Sequence, residues 1–453
     1  MSESIHRLKR GAVIGLILLS GLFISACLDD INEQQSQAFS KAQSQLACSV
    51  QGQNRSVKSI MEFWYLYVDQ MPDRDPNDFS SPREMLAALQ VDPPDRFSFI
   101  SERETTLNFT EEGRRIGIGV QLALMNAPDD YRVVDVFADA PADQADVRRG
   151  DRVLQINGRS VQELFNTGQL GSAMGPEEEG VLVELDMERA DGEEQYSVSL
   201  EKVEFVVDPV VRLNFFDLSD DRRVAYFHFR NFIVPAADRF DDVFAELSEE
   251  AVDELIIDMR YNGGGRIAVA EQLASQIAGD AVQDEIFVQL VHNEARTDQN
   301  RIRRFGEEIG ALGLDRLLVI ATERTASASE LVVNGLRPFI DVEIIGSRTF
   351  GKPVGSYGFE ICDLIMFPTA FATLNALDEG DYFDGLPATC EAADDLALPL
   401  GDEEESSLAE ALHFLETGQC DAEAGRLARE VQPLHRPQVG GPDGWDPIHT
   451  GIH

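Results

Sequence analysis

Basic side chains are scarce in this chain: 38 Lys and Arg stand against 81 Asp and Glu, a formal charge of -43. A surface of that sign repels phosphate backbones and anionic lipid headgroups, so nucleic acid is excluded as a partner. The acidity is spread along the sequence rather than gathered in one tail, and it describes a solvated surface, not a chemistry. Cysteine is sparse too, with five residues, none in a CxxC pair and none at zinc-site spacing, so no metal is expected. Aromatic clusters of the kind that bind sugars are missing, which leaves carbohydrate recognition without a positive feature. There is no internal repeat.

What is present begins with an address. His6, Arg7, Lys9 and Arg10 precede an apolar stretch of 14 residues, Gly11 to Ile24, which is short for a bilayer span and reads as a secretory leader. It ends in Ile24-Ser25-Ala26-Cys27, which resembles a bacterial lipobox with Cys27 as the lipidated new N-terminus. Leu28 rather than Asp follows. By resemblance to Gram-negative lipoproteins this implies a lipid-anchored, periplasm-facing body in the cell envelope, with the outer membrane favoured over the inner. The remaining Cys48, Cys362, Cys390 and Cys420 are an even number in an oxidising compartment, which favours two disulfides with three connectivities open.

The chain divides by pattern. Residues 1–26 are the leader and 27–47 a polar tether; 48–103 form a small helical region, with helical periodicity from Val57 to Val68 and a second helix over Ser81 to Leu89. Residues 104–206 show short alternating segments between Gly, Pro and Asp turns, a mainly β module. Over 207–420 strand-like and helix-like segments alternate, as in an α/β domain. Residues 421–453 are polar and rich in Gly, Pro and His, which predicts a structureless tail.

In the β module, RRIGIGVQL (Arg114 to Leu122) and GDRVLQING (Gly150 to Gly158) resemble a PDZ domain. In that family a Gly-rich turn receives a peptide's C-terminal carboxylate and the next strand pairs with the peptide by β-addition. The resemblance places these roles on Ile116, Gly117, Ile118, Gly119 and Val120. Asp146 stands where the family usually has Gly, which predicts an altered turn.

Three segments carry the chemistry. RLLVIATERTASASELVVNGL, Arg316 to Leu336, reads as a strand, a turn of small residues and a helix, so Ser327 sits at a helix N-terminus, where N–H groups can stabilise an oxyanion. Ser327 to Glu330 is also S-x-x-E, a capping box. TFGKPVG places Lys352 25 residues after Ser327, among apolar and small neighbours that favour a neutral amine. DMRYNGGG, Asp258 to Gly265, follows a strand and turns tightly. His228 and His292 lie in strand-like stretches and His413 on a helix, so a Ser-His-Asp triad has no good base.

Together these segments resemble the C-terminal-processing (tail-specific) serine peptidases, over roughly Asp95 to Leu415 and including DRFSFI at Asp95 to Ile100. The resemblance implies an α/β (α+β) peptidase core of the ClpP/crotonase-like type with an inserted PDZ-like domain. It implies Ser327 as nucleophile, with Ser329 as the weaker candidate, Lys352 as general base, and the N–H groups of Gly264 and Ala328 as the oxyanion hole. Peptide bonds of exported proteins, recognised through their C-terminal tails, would be hydrolysed through an acyl-enzyme with no metal or organic cofactor. The family commonly has Gln where this chain has Ser356, the residue that orients the lysine. That departure also supports an alternative: a catalytically impaired PDZ-containing scaffold or adaptor lipoprotein.

Overall fold

The computed structural model of the protein describes residues 47–125 and 128–430. The leader, the lipidation position Cys27, most of the tether and the segment from residue 431 lie outside the described residues. No helix among the described residues is long and apolar enough to cross a membrane.

The N-terminal region is helical because its turns are capped and its apolar residues fall on one face. Helix α1 (Val50–Trp64) starts behind Ser49, whose hydroxyl accepts from Gly52 N. Helix α2 (Pro82–Leu89) starts behind Ser81, whose hydroxyl accepts from Glu84 N, with Pro82 in the first turn where its missing N–H costs nothing. Val57, Met61 and Tyr65 pack with Met85, Leu86 and Leu89. The first helix ends at Trp64 rather than Val68: Tyr65 turns extended and Leu66 N donates to Thr369 O. A tertiary contact thus overrides the local periodicity.

Strand β1 (Phe99–Glu102) and helix α3 (Arg103–Glu112) lead into the β module. It comprises β2 (Arg114–Gly117), β3 (Val120–Leu124), β4 (Tyr131–Val136), α4 (Pro141–Gln144), β5 (Arg152–Ile156), β6 (Arg159–Ser160), α5 (Val161–Asn166), β7 (Leu182–Glu188), β8 (Gln195–Glu201) and β9 (Val203–Val206). One sheet runs β3-β4-β5-β7-β8 with β6 on β5, so β3 is an edge strand, while β2 pairs with β9. The sequence reads as one strand from Ile116 to Ala123, but it is broken at Ile118 and Gly119. Gly119 has φ 81°, and the carbonyls of Ile118 and Gly119 accept from Ala142 N and Phe137 N. The turn at Asp146 closes without glycine, with φ 59° and Val147 N bonded to Ala142 O. Asp tolerates the left-handed region better than most residues, and its carboxylate pairs with Arg148 and Arg189.

The core follows: β10 (Val210–Asp217), β11 (Arg223–Phe229), α6 (Pro235–Glu249), β12 (Glu254–Asp258), α7 (Ile267–Ala278), β13 (Ile286–His292) and β14 (Arg301–Arg304). Then come β15 (Arg316–Ala321), α8 (Ala328–Leu336), β16 (Asp341–Gly346), β17 (Val354–Ser356), β18 (Phe359–Ile361), β19 (Leu364–Phe367), β20 (Thr369–Leu374), β21 (Cys390–Glu391), α9 (Ser406–Thr417) and α10 (Ala422–Glu430). The main sheet runs β10-β11-β12-β15-β16-β21 and is parallel apart from β10. Its strands are nearly all apolar because both faces are covered. Ile257, Val319 and Ile344 pack under α6, α7 and α8, while Ile256, Leu318 and Ile345 meet Leu408, Ala411 and Leu415 of α9. A second sheet runs β14-β13-β20-β17, and a third β1-β19-β18.

Two disulfides settle the cysteine pairing. Cys48–Cys362 ties the start of α1 to the β18–β19 turn, and Cys390–Cys420 ties β21 to the segment before α10. The composition of the C-terminal segment predicts no structure from residue 421, yet its first residues form α10.

Candidate active site

The parallel sheet brings together the carboxyl ends of β12 and β15, and the two chemistry-bearing turns leave from there. Asn262 locks them to one another: its carbonyl accepts from Ala326 N at 3.0 Å and from Ser329 Oγ at 3.0 Å. Its side chain donates to Phe229 O and accepts from Gly264 N at 2.9 Å. Thr325 Oγ1 donates to Met259 O. The hydroxyl of Ser329 is therefore buried and spent on the turn. Asp258, held at about 2 against burial by the Arg260 guanidinium, fixes the turn from below together with Glu405.

Ser327 is the residue the turn sets apart. Its backbone lies at φ 57°, ψ -113°, a region L residues avoid, at the junction with α8. Such strain costs on the order of 1–3 kcal/mol and persists only where the surroundings enforce it. Enforcement is visible: Ser327 N donates to Glu330 Oε2 at 2.9 Å, and the preceding residues are pinned as above. Gly264 lies directly against this turn. With φ 103°, a Cβ built on it would come within 2.7 Å of Ala328 N and 2.9 Å of Ser327 Cβ, so only glycine fits.

Lys352 faces the same space. Ser327, Ala328 and Lys352 line one cavity of about 10 Å³ with Ile267, Leu331, Val354, Gly355 and Thr373. That is room for about one water. The Lys352 side chain is 1% exposed and its amine makes no hydrogen bond, to Ser327 Oγ or to any other group. Burial lowers its pKa to about 7, although the charges of Asp95 and Glu330 oppose the shift.

Glu330 is the site residue that sequence reasoning underrates. Wholly buried, its carboxylate accepts from Ser327 N, Lys352 N at 2.9 Å, Gly351 N at 2.7 Å and Thr349 Oγ1 at 2.5 Å. One side chain thus holds the serine turn and the lysine segment in register. Burial raises its pKa and these donors oppose the rise. The S-x-x-E spacing was the available signal, but it points to a helix cap; the partners 19 to 22 residues downstream are tertiary. DRFSFI braces the same segment. Arg96 donates to Phe350 O with its guanidinium 4.3 Å over the Phe350 ring, and Asp95 accepts from Ser98 Oγ and Thr369 Oγ1.

Ser356 stands at the end of β17, its hydroxyl buried without a partner and not bonded to Lys352. The three histidines among the described residues stand elsewhere. His228, lowered to about 3 chiefly by burial, sits by Arg212, and His292 stacks on Tyr357 and bonds its hydroxyl. His413 is exposed on α9. None is bonded to Ser327.

Ile116 to Val120 span the end of β2, the Gly119 turn and the start of edge strand β3. This module is fastened to the core. Asp135 of β4 binds Arg230 at 2.6 Å and Arg212 at 2.9 Å, and Gln121 of β3 donates to Tyr261 O.

Residues 223–381 match the family described as peptidase family S41, residues 52–99 the peptidase S41 N-terminal domain, and residues 132–185 a PDZ domain. In chain order the matches are thus to the S41 N-terminal domain, a PDZ domain and the S41 peptidase domain, the order of the helical region, β module and α/β core described above. Among curated proteins it is similar to the carboxyl-terminal-processing protease of Synechocystis, 25% identical over 63% of this chain and 64% of the relative. It is also similar to the carboxy-terminal processing protease CtpB of Bacillus subtilis, 22% identical over 59% of this chain and 52% of the relative. The chain therefore spans somewhat less than two thirds of the first relative and about half of the second. Among solved structures, an S41 protease chain from Bacteroides fragilis superposes with a TM-score of 0.64 at 22% identity, covering 80% of this chain and 97% of that one. The photosystem II D1 C-terminal processing protease gives 0.52 at 20% identity, with the same coverage.

Proposed function

We propose that this chain is a serine endopeptidase of the C-terminal-processing type, with Ser327 as nucleophile and Lys352 as its base. One observation carries the reading: a strained serine at a helix start shares a small cavity with a buried, unpartnered lysine amine whose pKa lies near neutrality. An amine of that kind is neutral in a large fraction of molecules at pH 7 and can take the Ser327 proton as Oγ attacks the scissile carbonyl. The same ammonium then protonates the leaving amine, and water, activated by the neutral amine, hydrolyses the ester. Two neighbouring N–H groups would receive the oxyanion. Ala328 N, pressed against Gly264, is the donor this geometry favours. The Gly264 N–H is committed to Asn262 Oδ1, so its service requires that bond to open as substrate enters.

Substrate tails would bind at Ile116 to Val120, carboxylate at the Gly119 turn and backbone along β3. Lipidation at Cys27 would hold the enzyme at the envelope, facing the periplasm; replacing Cys27 with Ala and fractionating membranes tests that reading separately. Ser356 in place of an orienting amide, with Lys352 unbonded to Ser327, is the observation that favours the rival reading of a PDZ-bearing scaffold. Incubation with an unfolded protein bearing a free C-terminus separates the two. Wild type should cleave while Ser327→Ala and Lys352→Ala do not; equal turnover by all three would sink the assignment.

A further inference from the structure

A second crevice lies apart from the one at Ser327. It has a volume of about 320 Å³ and shares no lining residue with the small catalytic cavity. It opens beyond the carboxyl ends of β12, β15 and β16, where α/β sheets commonly bind ligands, and its size falls in the range of about 300–1,000 Å³ typical of binding pockets. One wall is the far end of β3, Leu124 and Met125. The others combine Tyr261, Ala388 and Ala393 with charged residues such as Arg324, Arg348 and Glu391, and apolar surface prevails over polar.

Strand geometry says what reaches it. β3 is an edge strand of five residues, Val120–Leu124, with the Gly119 turn at its start. A tail that leaves its carboxylate at that turn and pairs antiparallel with β3 runs toward Leu124. At about 3.3 Å per residue it arrives at Met125 about five residues before its C-terminus. Gln121, the second residue of the strand, is bonded to Tyr261 O, so β3 and the crevice wall form one continuous surface. Tyr261 is itself held at φ 65°, its hydroxyl bonded to Asp394 and Arg149, a strained conformation that presents the ring at the wall.

We propose that this crevice is a second substrate subsite, which takes the polypeptide stretch about five residues upstream of the C-terminal carboxylate and prefers an apolar side chain there. The inference rests on tail binding at the Gly119 turn. Recognition would therefore read two features, a terminal carboxylate and an apolar residue set at a fixed distance by the length of β3.

Full-length Ser327→Ala protein, which holds peptides without cleaving them, is titrated with labelled peptides ending in a free carboxylate and read by fluorescence anisotropy. One peptide has about four residues; two have about eight, with Leu or Asp about five positions before the end. The Leu octapeptide should bind at least about tenfold more tightly than the Asp one. Ala388→Trp and Ala393→Trp, each filling the crevice from a half-buried position, should abolish that difference and leave the short peptide's affinity unchanged. Melting curves matching the parent show that each variant is folded. Discrimination that survives in both filled variants, or Leu and Asp peptides of equal affinity, overturns the subsite while tail binding stands. No binding of any peptide overturns the tail-binding reading, and the subsite with it.

Discussion

Replacing Glu330 with Gln removes a charge and almost no volume, so its effect isolates hydrogen bonding at the site. The carboxylate has two oxygens and four donors: Oε1 serves Thr349 Oγ1 and Gly351 N, and Oε2 serves Ser327 N and Lys352 N. A Gln must turn its NH₂ toward one pair. Toward Ser327 and Lys352 it strands two N–H groups. Toward Thr349 and Gly351 it strands one, because the Thr349 hydroxyl can rotate to accept. A buried stranded donor costs about 1–3 kcal/mol, and the three surviving bonds lose their charge assistance, so the total is about 2–5 kcal/mol. That is a large share of the roughly 5–15 kcal/mol available to a folded protein, and at about 2–4 °C per kcal/mol the melting midpoint should fall by about 4–20 °C. The opposing effect is relief of the desolvation that raises the Glu330 pKa. The charge also helps hold the Lys352 ammonium, so its loss should move the Lys352 pKa below its present value of about 7 and shift the rising limb of the activity profile toward acid. Thermal denaturation followed by circular dichroism and a pH–rate profile on a peptide substrate read the two effects. A midpoint that is unchanged or higher, with an unmoved profile, would refute the role given to Glu330.

Gly264→Ala puts a methyl 2.7 Å from Ala328 N at φ 103°, so peptidase activity should fall by about 10²-fold or more, measured as kcat, with a lower melting midpoint. Ser356→Gln restores the amide that the family resemblance sets at this position, where the lysine amine lacks any partner, and kcat should rise several-fold, as about 1 kcal/mol less barrier gives, with KM little changed. Cys48→Ser opens a crosslink between residues 314 apart in sequence, and chemical denaturation under non-reducing conditions should show a loss of about 2–4 kcal/mol.

The sequence makes the pairing of Ser327 and Lys352 readable because two local patterns, each with an ordinary explanation, fall at a spacing that joins them. The main sheet is readable for a similar reason: strands covered on both faces are long apolar runs, as in Leu317 to Ala321. Elsewhere the determining contact is tertiary. Strands β17 to β19 are three or four residues long and too short for periodicity to mark. Glu330 shows a cap to a local reading and a clamp only once residues 349–352 fold onto it. The end of α1 at Trp64 depends on Thr369, and the disulfide pairing on where β18 and β21 lie. Asp146 forms its turn although glycine is the expected residue, because two arginines satisfy its carboxylate.

The central claim is that the Lys352 amine takes the Ser327 proton. Its most direct test is the rate of Ser327 labelling by a fluorophosphonate probe as a function of pH, in the wild type and in Lys352→Ala. The neutral amine is the active form, so labelling should rise with pH and level off above an inflection near the Lys352 pKa of about 7. Lys352→Ala should label about 10²–10⁴ times more slowly and lose that inflection. A variant that labels Ser327 at the wild-type rate with the same inflection would contradict the account.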